Sequence, residues 1–137
     1  MTRFMISLEG GVGLIWHAFK DMLGGEIYVK KIPSMNIIDI AKAINPKAKF
    51  KFVGIRPGEK LHEQMIGYED SHSTYEYKDY YKILPSIHSW ASDELRIKDG
   101  TKVEEGFVYS SDNNKDQMTI EELKKWISEN SEKIGKI

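Results

Sequence analysis

The chain has 137 residues, of which 40% are hydrophobic and 30% are charged, values that are ordinary for one globular domain. Twenty basic and 21 acidic residues give a formal net charge of −1, which argues against nucleic acid or an anionic membrane as a partner. The absence of cysteine excludes disulfides, thiolate catalysis and cysteine-bound metals, and it agrees with a reducing compartment.

The first third of the chain predicts two helices and one strand. Apolar residues recur at steps of four, three, four and three from Leu8 to Met22, which predicts an amphipathic helix that ends at Gly24-Gly25. Each of its three glycines (10, 11 and 13) costs about 1 kcal/mol relative to alanine, so this helix should pack closely on a neighbour. A phosphate loop is disfavoured because "EGGVGLIW" lacks the full dinucleotide spacing. "GEIYV" predicts a strand, and "NIIDIAKAI" predicts a helix capped by Asn36.

Residues 49–66, "KFKFVGIRPGEKLHEQMI", are the most informative stretch. The first part alternates phenylalanine with lysine, which predicts a half-buried strand, and "EKLHEQMI" has helical spacing. Between them lies Pro57-Gly58, the pair that a type II turn prefers, so Arg56 is expected where a strand ends. A guanidinium there matches a phosphate, whereas a solvated arginine paired with Glu59 or Glu63 explains the same residues at least as well.

The second half of the chain predicts short strands and a final helix. The tyrosines of "STYEYKDYYKILPS" favour extended, core-forming chain over a stacking platform for a base. Residues 89–106 are polar and turn-rich, which predicts a surface excursion. "FVYSS" predicts a strand, and Thr119 with Glu122 predicts a capping box before a helix that ends near Asn130.

The usual catalytic and metal patterns are missing from the sequence. The four histidines share no metal-ligand spacing, and neither Gly-x-Ser-x-Gly nor Gly-x-Gly-x-x-Gly occurs. No tyrosine or methionine has a lysine four positions later. His62 lies near the Arg56 turn, but a packing or surface role is favoured for it. We therefore expect no catalytic residue and no metal site in this chain.

Four segments, in this order, resemble one family: "MTRF" at 1–4, "GGEIYVKKIPSM" at 24–35, "GIRPGEKLHEQMI" at 54–66 and "GFVYSSDNN" at 106–114. The chain resembles the polysaccharide-biosynthesis nucleotide-sugar 4,6-dehydratases and epimerases that act on UDP-N-acetylglucosamine, in the extended short-chain dehydrogenase superfamily. The resemblance implies a mixed, incomplete α/β fold: the C-terminal, substrate-binding portion without the Rossmann half that precedes "MTRF" in the family.

The resemblance also implies a UDP-sugar site. Arg3 and Arg56 would grip the diphosphate, and Glu59 would meet a ribose hydroxyl. NAD(P) is expected in the missing half and not on this chain, which should bind substrate without turning it over. Residues 1–88 would form the nucleotide-sugar portion, and residues 89–137 a C-terminal arm with a short strand and the final helix.

The partners expected are a UDP-sugar and a second polypeptide surface. The apolar stripes Leu8–Met22 and Ile37–Ile44 would normally pack on the missing half, which predicts a homo-oligomer or a Rossmann-half partner. The alternative function is a free-standing association module that completes a separately encoded Rossmann half or holds an assembly together. Since the start lacks a secretory pattern and no apolar run approaches the ~20 residues of a membrane helix, we expect a cytoplasmic location.

Overall fold

The computed structural model describes residues 1–87 and 92–130. Within these residues the chain forms four α-helices and eight short strands, so the expected mixed α/β class is confirmed. The elements, in chain order, are β1 (Thr2–Phe4), α1 (Leu8–Asp21), β2 (Ile27–Lys30), β3 (Ser34–Asn36), α2 (Ile37–Ile44), β4 (Gln64–Ile66), β5 (Thr74–Glu76), β6 (Tyr80–Ile83), α3 (Glu94–Ile97), β7 (Thr101–Lys102), β8 (Tyr109–Ser110) and α4 (Ile120–Glu129).

The chain divides into two compact units. Unit 1 contains residues 1–5, 33–63 and 111 onwards, and unit 2 contains residues 6–32 and 64–110. The division predicted at residue 88 is of another kind, since it separates a binding portion from an arm. Its boundary lies outside the described residues, and it stays a prediction.

Unit 1 is built from a two-stranded sheet and two helices. Strands β1 and β3 pair antiparallel, with Thr2 opposite Asn36 and Phe4 opposite Ser34. Helices α2 and α4 pack together over a core whose buried members are Met35, Ala43 and Leu123. Part of the α2 stripe therefore finds its partner inside the chain.

The helix ends of unit 1 follow the local sequence closely. The Asn36 side chain accepts a hydrogen bond from the Ile38 N–H at 2.9 Å, which caps α2. Thr119 and Glu122 form both halves of a capping box at α4, and Asn130 is the C-cap residue. Because caps satisfy backbone donors that a helix leaves unpaired, a short motif is enough to set a helix start. These predictions are confirmed.

Unit 2 contains an antiparallel sheet in the order β2-β6-β5-β7, together with the β4-β8 pair. The core on this sheet is aromatic, since Tyr75, Tyr77 and Tyr81 are buried and the rings of Tyr77 and Tyr80 stack at 4.6 Å. The core interpretation of the tyrosines is thus confirmed. Helix α1 starts at the predicted place, with Ser7 as its N-cap residue, and it runs through all three glycines of the glycine-rich segment.

The strand and helix predicted within residues 49–66 are wrong. Residues 45–63 contain neither element, and residues 64–66 form strand β4 in place of a helix. The alternating segment has no sheet to bury its apolar face, because Phe52 and Val53 remain 83% and 71% exposed. The Leu61 carbonyl accepts the Thr2 N–H at 2.9 Å and the Glu63 carbonyl accepts the Ser111 N–H at 2.8 Å. Pairing with distant segments thus outweighs the local helical spacing.

The predicted surface excursion is partly built into unit 2. Helix α3 and strand β7 both fall within residues 92–106, and β7 pairs with β5 at the edge of the four-stranded sheet. The first residues of the excursion, up to 91, lie outside the described part of the chain. The predicted "FVYSS" strand is confirmed as β8.

Candidate functional site

The turn at Pro57-Gly58 has the predicted geometry. The Glu59 N–H donates to the Arg56 carbonyl oxygen at 3.0 Å, which closes a four-residue turn. Gly58 has φ +80, the conformation that a type II turn requires at its third position and that favours glycine. The Glu59 carboxylate also accepts the Arg56 backbone N–H at 3.1 Å, so the turn is tied at both of its ends.

The Arg56 side chain projects from this turn into solvent. Within the part of the chain that the structure describes, its guanidinium has no hydrogen-bond or ion-pair partner. Neither of the two carboxylates proposed as surface partners takes it, because Glu59 binds the Arg56 backbone and Glu63 pairs with Arg3. The guanidinium therefore keeps its planar set of donors exposed to solvent.

Arg3, on strand β1, lies in a different environment. Its Nη1 donates to the carbonyls of Thr2 at 2.7 Å and Leu61 at 3.3 Å, and its Nη2 donates to the Lys60 carbonyl at 3.0 Å. Its Nε lies 3.3 Å from the Glu63 carboxylate. Most of its donors thus hold the two residues that follow Glu59 against β1. The structure brings Arg3 to the base of the segment that carries Arg56 and Glu59.

A second group of polar side chains fixes the same base. Thr2 Oγ1 lies 2.8 Å from His62 Nδ1 and 2.7 Å from Ser111 Oγ. The Ser111 hydroxyl is fully buried and accepts the Glu63 backbone N–H at 2.8 Å. Sequence reasoning missed this group because its members are 60 and 109 positions apart, and no spacing rule links them. Its effect is to hold residues 61–63 in one place beside the turn.

Metal sites and dinucleotide sites each require a particular arrangement of side chains or glycines. No group of three or more histidine, aspartate or glutamate side chains in residues 1–87 and 92–130 could hold a metal ion. Gly10, Gly11 and Gly13 lie inside α1, and the Gly10 N–H is already bonded to the Ser7 hydroxyl at 3.1 Å. A dinucleotide phosphate needs glycines in a loop between a strand and a helix. These glycines therefore do not fit NAD(P).

Unit 2 holds a cluster of buried charges. Lys82 is 1% exposed and donates to the Asp21 carboxylate at 2.5 Å and to the Arg96 carbonyl at 2.9 Å. Asp21 also accepts the Tyr28 hydroxyl at 2.7 Å and pairs with Lys98. Burial raises the pKa of Asp21, but hydrogen bonds from Lys82, Lys98 and Tyr28 outweigh it and hold that pKa well below its usual range.

The neighbouring pair in this cluster is Glu26 with Arg96, both buried and in direct contact. Burial raises the pKa of Glu26, but hydrogen bonds from the backbone N–H groups of Leu23 and Gly24 and the charge of Arg96 outweigh burial, so the net shift of that pKa is downward. Every group in the cluster has a partner of opposite charge or a hydrogen bond. The arrangement can hold unit 2 together, and it offers no reactive group to a substrate.

Comparison with known proteins gives this geometry its context. A protein family described as "Polysaccharide biosynthesis protein" matches residues 1–85. The chain belongs to this family. Among its relatives, UDP-N-acetylglucosamine 4,6-dehydratase (inverting) of Campylobacter jejuni serotype O:2 is 52% identical over 120 residues, which cover 83% of this chain and 36% of that protein. UDP-glucose 4-epimerase of Rickettsia rickettsii is 33% identical over 128 residues, or 90% of this chain and 37% of that protein.

This family member is also similar to a protein of known structure. The X-ray structure of Pen from Bacillus thuringiensis has a TM-score of 0.74 and 26% identity, and the similarity covers 95% of this chain and 38% of that chain. The family resemblance found in four sequence segments is thereby confirmed. The chain spans little more than a third of the length of these relatives. No helix in its described residues combines the length and apolar character needed to cross a bilayer.

Proposed function

We propose that this chain is the nucleotide-sugar-binding part of a 4,6-dehydratase or epimerase that acts on UDP-N-acetylglucosamine in bacterial polysaccharide biosynthesis. The proposal is supported by the 52% identity to a protein named for that substrate and by the turn that presents Arg56. We assign binding of the nucleotide sugar to this chain, and we do not assign catalysis to it.

One observation carries the proposal: Arg56 stands exposed on a rigid turn, and no described residue of the chain occupies its guanidinium. A diphosphate carries charge on several oxygens that a guanidinium binds through two parallel N–H···O bonds. A turn tied at both ends reduces the conformational freedom lost on binding, so more of the interaction energy is retained as affinity.

Glu59 and Arg3 support this role in different ways. One Glu59 carboxylate oxygen accepts the Arg56 backbone N–H, and the other is proposed to accept a ribose hydroxyl. Arg3 is proposed to reach the diphosphate with the donor capacity that remains after its contacts to Thr2, Lys60 and Leu61. Its larger contribution is to hold the base of the Arg56 segment in place.

Hydride transfer in such an enzyme is supplied by NAD or NADP when it is bound. Because the glycines of this chain do not fit a dinucleotide, we place that cofactor in the part of the relatives that this chain does not span. We also propose a cytoplasmic location, which the lack of cysteine supports.

Calorimetric titration of the chain with UDP, UMP and UDP-N-acetylglucosamine at low salt tests the proposal. We expect saturable binding of UDP and the sugar nucleotide, weaker binding of UMP, and weakening of all by salt. Arg56→Ala should reduce UDP affinity by the roughly 1.5–3 kcal/mol that a charged hydrogen bond contributes. Lys51→Ala removes another exposed cation from the same segment and serves as the matched control.

The outcomes of this titration are easy to separate. If Arg56→Ala and Lys51→Ala both bind UDP as the parent chain does, the site is assigned to the wrong residue. Arg56→Lys keeps the charge but loses the planar fork, so it should restore only part of the lost affinity. Unchanged thermal unfolding of each variant shows that the fold is intact.

A further inference from the structure

Thr2, His62 and Ser111 form a chain of hydrogen bonds within unit 1, and the number of available hydrogens determines its direction. Ser111 Oγ lies 2.7 Å from Thr2 Oγ1, which in turn lies 2.8 Å from His62 Nδ1. Ser111 Oγ also accepts the Glu63 backbone N–H at 2.8 Å, and the Ser111 side chain is fully buried. Because each hydroxyl has one hydrogen to donate, each link of the chain has one donor and one acceptor.

One order of these hydrogen bonds satisfies every buried group. The Ser111 hydroxyl donates to Thr2 Oγ1, the Thr2 hydroxyl donates to His62 Nδ1, and Ser111 Oγ accepts the Glu63 N–H. In this order His62 Nδ1 is an acceptor and carries no hydrogen. The ring is then neutral, with its hydrogen on Nε2.

The reverse order leaves a buried donor without an acceptor. A hydrogen on His62 Nδ1 would be donated to Thr2 Oγ1, and the Thr2 hydroxyl would then donate to Ser111 Oγ. Ser111 Oγ would accept two hydrogen bonds, and its own hydrogen would have no acceptor among residues 1–87 and 92–130. A buried donor without a partner destabilises the structure around it, so the structure favours the first order.

The hydrogen-bond chain holds the segment that follows the Arg56 turn. His62 lies between two backbone anchors: the Leu61 carbonyl accepts the Thr2 N–H at 2.9 Å, and the Glu63 carbonyl accepts the Ser111 N–H at 2.8 Å. Only Lys60 separates this segment from the last residue of the turn, and Arg3 binds the Lys60 carbonyl at 3.0 Å. A displacement of residues 61–63 would therefore move the turn that carries Arg56.

We propose that His62 is a positioning residue for the nucleotide sugar, a role that rests on the proposed function. While Nδ1 is unprotonated, the hydrogen-bond chain holds the Arg56 turn in its binding position. Protonation of Nδ1 reverses the chain, leaves the Ser111 hydroxyl unsatisfied and loosens that hold. Because histidine is the side chain that ordinarily gains a proton between about pH 5 and 8, binding should weaken as pH falls through this range.

The opposite pH dependence would identify a different role. A cationic His62 in direct contact with the diphosphate would strengthen binding in acid, because a charged donor binds an anion more strongly than a neutral one. The direction of the change in affinity therefore distinguishes a residue that positions the turn from one that touches the ligand through its charge.

Other titratable groups surround His62 on the three segments that meet at the ring. Arg3 and Glu63 form an ion pair at 3.3 Å. Carboxyls ordinarily titrate near pH 4 and lysine and arginine above about 10, so among these groups a histidine and an amino group are the ones that ordinarily titrate between about pH 5.5 and 8. A variant without His62 therefore gives the baseline. The charged groups on the three segments are the Met1 amino group, Arg3, Glu59, Lys60, Glu63 and Asp112.

Calorimetric titration of the 137-residue chain with UDP-N-acetylglucosamine, from about pH 8 to about pH 5.5, tests the role of His62 in binding. The sugar nucleotide is used because its diphosphate is esterified at both ends and keeps its charge, whereas a terminal phosphate such as that of UDP ordinarily gains a proton near pH 6. We expect the affinity of the parent chain to fall about tenfold over this range, as the loss of a buried hydrogen bond predicts.

Two substitutions of His62 separate its two ring nitrogens. The amide oxygen of His62→Asn can take the place of Nδ1, so this variant should keep most of the parent affinity at pH 8 and lose the acid decline, because an amide does not titrate. The amide of His62→Gln lies further out, near the place of Nε2, and leaves the Thr2 hydroxyl without its acceptor. His62→Gln should therefore bind about tenfold more weakly than the parent at pH 8.

His72→Asn is the matched control, because His72 is exposed and lies in unit 2. It should keep both the affinity at pH 8 and the decline in acid. Thermal unfolding at pH 8 checks that each variant is folded. Nitrogen NMR of the His62 ring tests the proton order without a ligand, since the chemical shifts of the two nitrogens show which one carries the hydrogen. We expect a bare Nδ1 and a protonated Nε2 at pH 8.

The possible outcomes separate the role of His62 from the proposed function. A hydrogen on Nδ1 at pH 8, an affinity that is constant or rises in acid, or a His62→Gln variant that binds like the parent would each overturn the role given to His62. A parent chain that fails to bind UDP-N-acetylglucosamine at pH 8 would overturn the proposed function and the binding role of His62 together. The nitrogen spectrum would then still confirm or contradict the proton order.

Discussion

Two arginines in this chain show how burial and neighbours give one residue type two roles. Arg3 is held by three backbone carbonyls and a carboxylate, whereas Arg56 stands on the surface of a turn. A guanidinium that satisfies backbone acceptors stabilises the fold, and one in solvent is available to an anion. The two sites should therefore respond differently to the same substitution.

Arg3→Ala should lower the free energy of unfolding by roughly 1–2 kcal/mol, because several hydrogen bonds to the Lys60 and Leu61 segment are lost. Arg56→Ala should change it by less than about 0.5 kcal/mol, as exposed substitutions usually do. Urea unfolding followed by far-ultraviolet circular dichroism measures both changes in the free energy of unfolding. Equal stability of the two variants would contradict the role given to Arg3.

At the scale of elements, the glycines of α1 differ in their surroundings. A side chain at Gly10 would meet the Ser7 hydroxyl at 3.2 Å, but one at Gly13 would meet nothing within 4 Å. The close packing on a neighbour that was predicted for the glycine-rich segment is therefore not found at Gly13, and at Gly10 the nearest group belongs to the N-cap of the same helix. Gly13 has an ordinary helical backbone, so it contributes only conformational freedom to the unfolded chain.

Gly13→Ala should raise the free energy of unfolding by about 0.5–1 kcal/mol, since alanine loses less freedom on forming a helix and finds open space here. Gly58→Ala is the matched comparison, because it also meets nothing within 4 Å but sits at φ +80. It should cost roughly 1–2 kcal/mol through backbone strain alone. Thermal unfolding measures both, and the same sign for both would contradict the argument.

The elements that the sequence predicted correctly are those with local physical causes. Ser7, Asn36 and Thr119 cap their helices with their own side chains, and Pro57-Gly58 sets its turn without help. The helix predicted at residues 59–66 failed because Leu61 and Glu63 bond to Thr2 and Ser111 and residues 64–66 pair with β8, all far away in sequence. The strand predicted before it failed because no sheet covers its apolar side chains. The hydrophobic period of a segment indicates which side chains it could bury. Whether another element is present to cover them depends on the tertiary structure.

The candidate site divides in the same way. The position of Arg56 follows from a turn of four consecutive residues, so the sequence alone was enough to predict that position. The clamp made by Arg3 and the Thr2, His62 and Ser111 group depends on residues up to 109 positions apart, so no single-sequence pattern contains it. Its discovery needed the tertiary structure.

At the scale of the whole molecule, the stability of unit 2 rests on buried charges and tyrosines together. All seven tyrosines belong to this unit, and burial, followed by nearby negative charge, raises the pKa of Tyr80 and Tyr81 to about 12. Asp21 and Glu26 have lowered pKa values. In the folded chain these carboxyls favour their charged form and these tyrosines favour their neutral form. The free energy of unfolding should therefore be greatest between the pH range in which the carboxyls titrate and the range in which the tyrosines titrate.

The directions of these pKa shifts predict how the stability of unit 2 depends on pH. A carboxyl with a lowered pKa makes its full contribution to the free energy of unfolding above its ordinary pKa of about 4, and this contribution is lost as pH falls below that value. A tyrosine with a raised pKa stabilises fully below about 10, and this contribution is lost as pH rises toward 12. Urea unfolding of unit 2, followed by tyrosine near-ultraviolet circular dichroism, should show a plateau between about pH 5 and 9 with a decline on each side.

Asp21→Asn tests the source of the acid decline. Removing the carboxylate leaves Lys82 buried without its counter-charge, which costs about 3–5 kcal/mol near neutral pH. The variant should also lose much of the decline below pH 4, because the group that is protonated there is absent. Asp39→Asn is the control, as Asp39 lies in unit 1 and its pair with Lys42 is exposed. An Asp21→Asn chain that keeps the full acid decline would show that other carboxyls, Glu26 foremost, produce it.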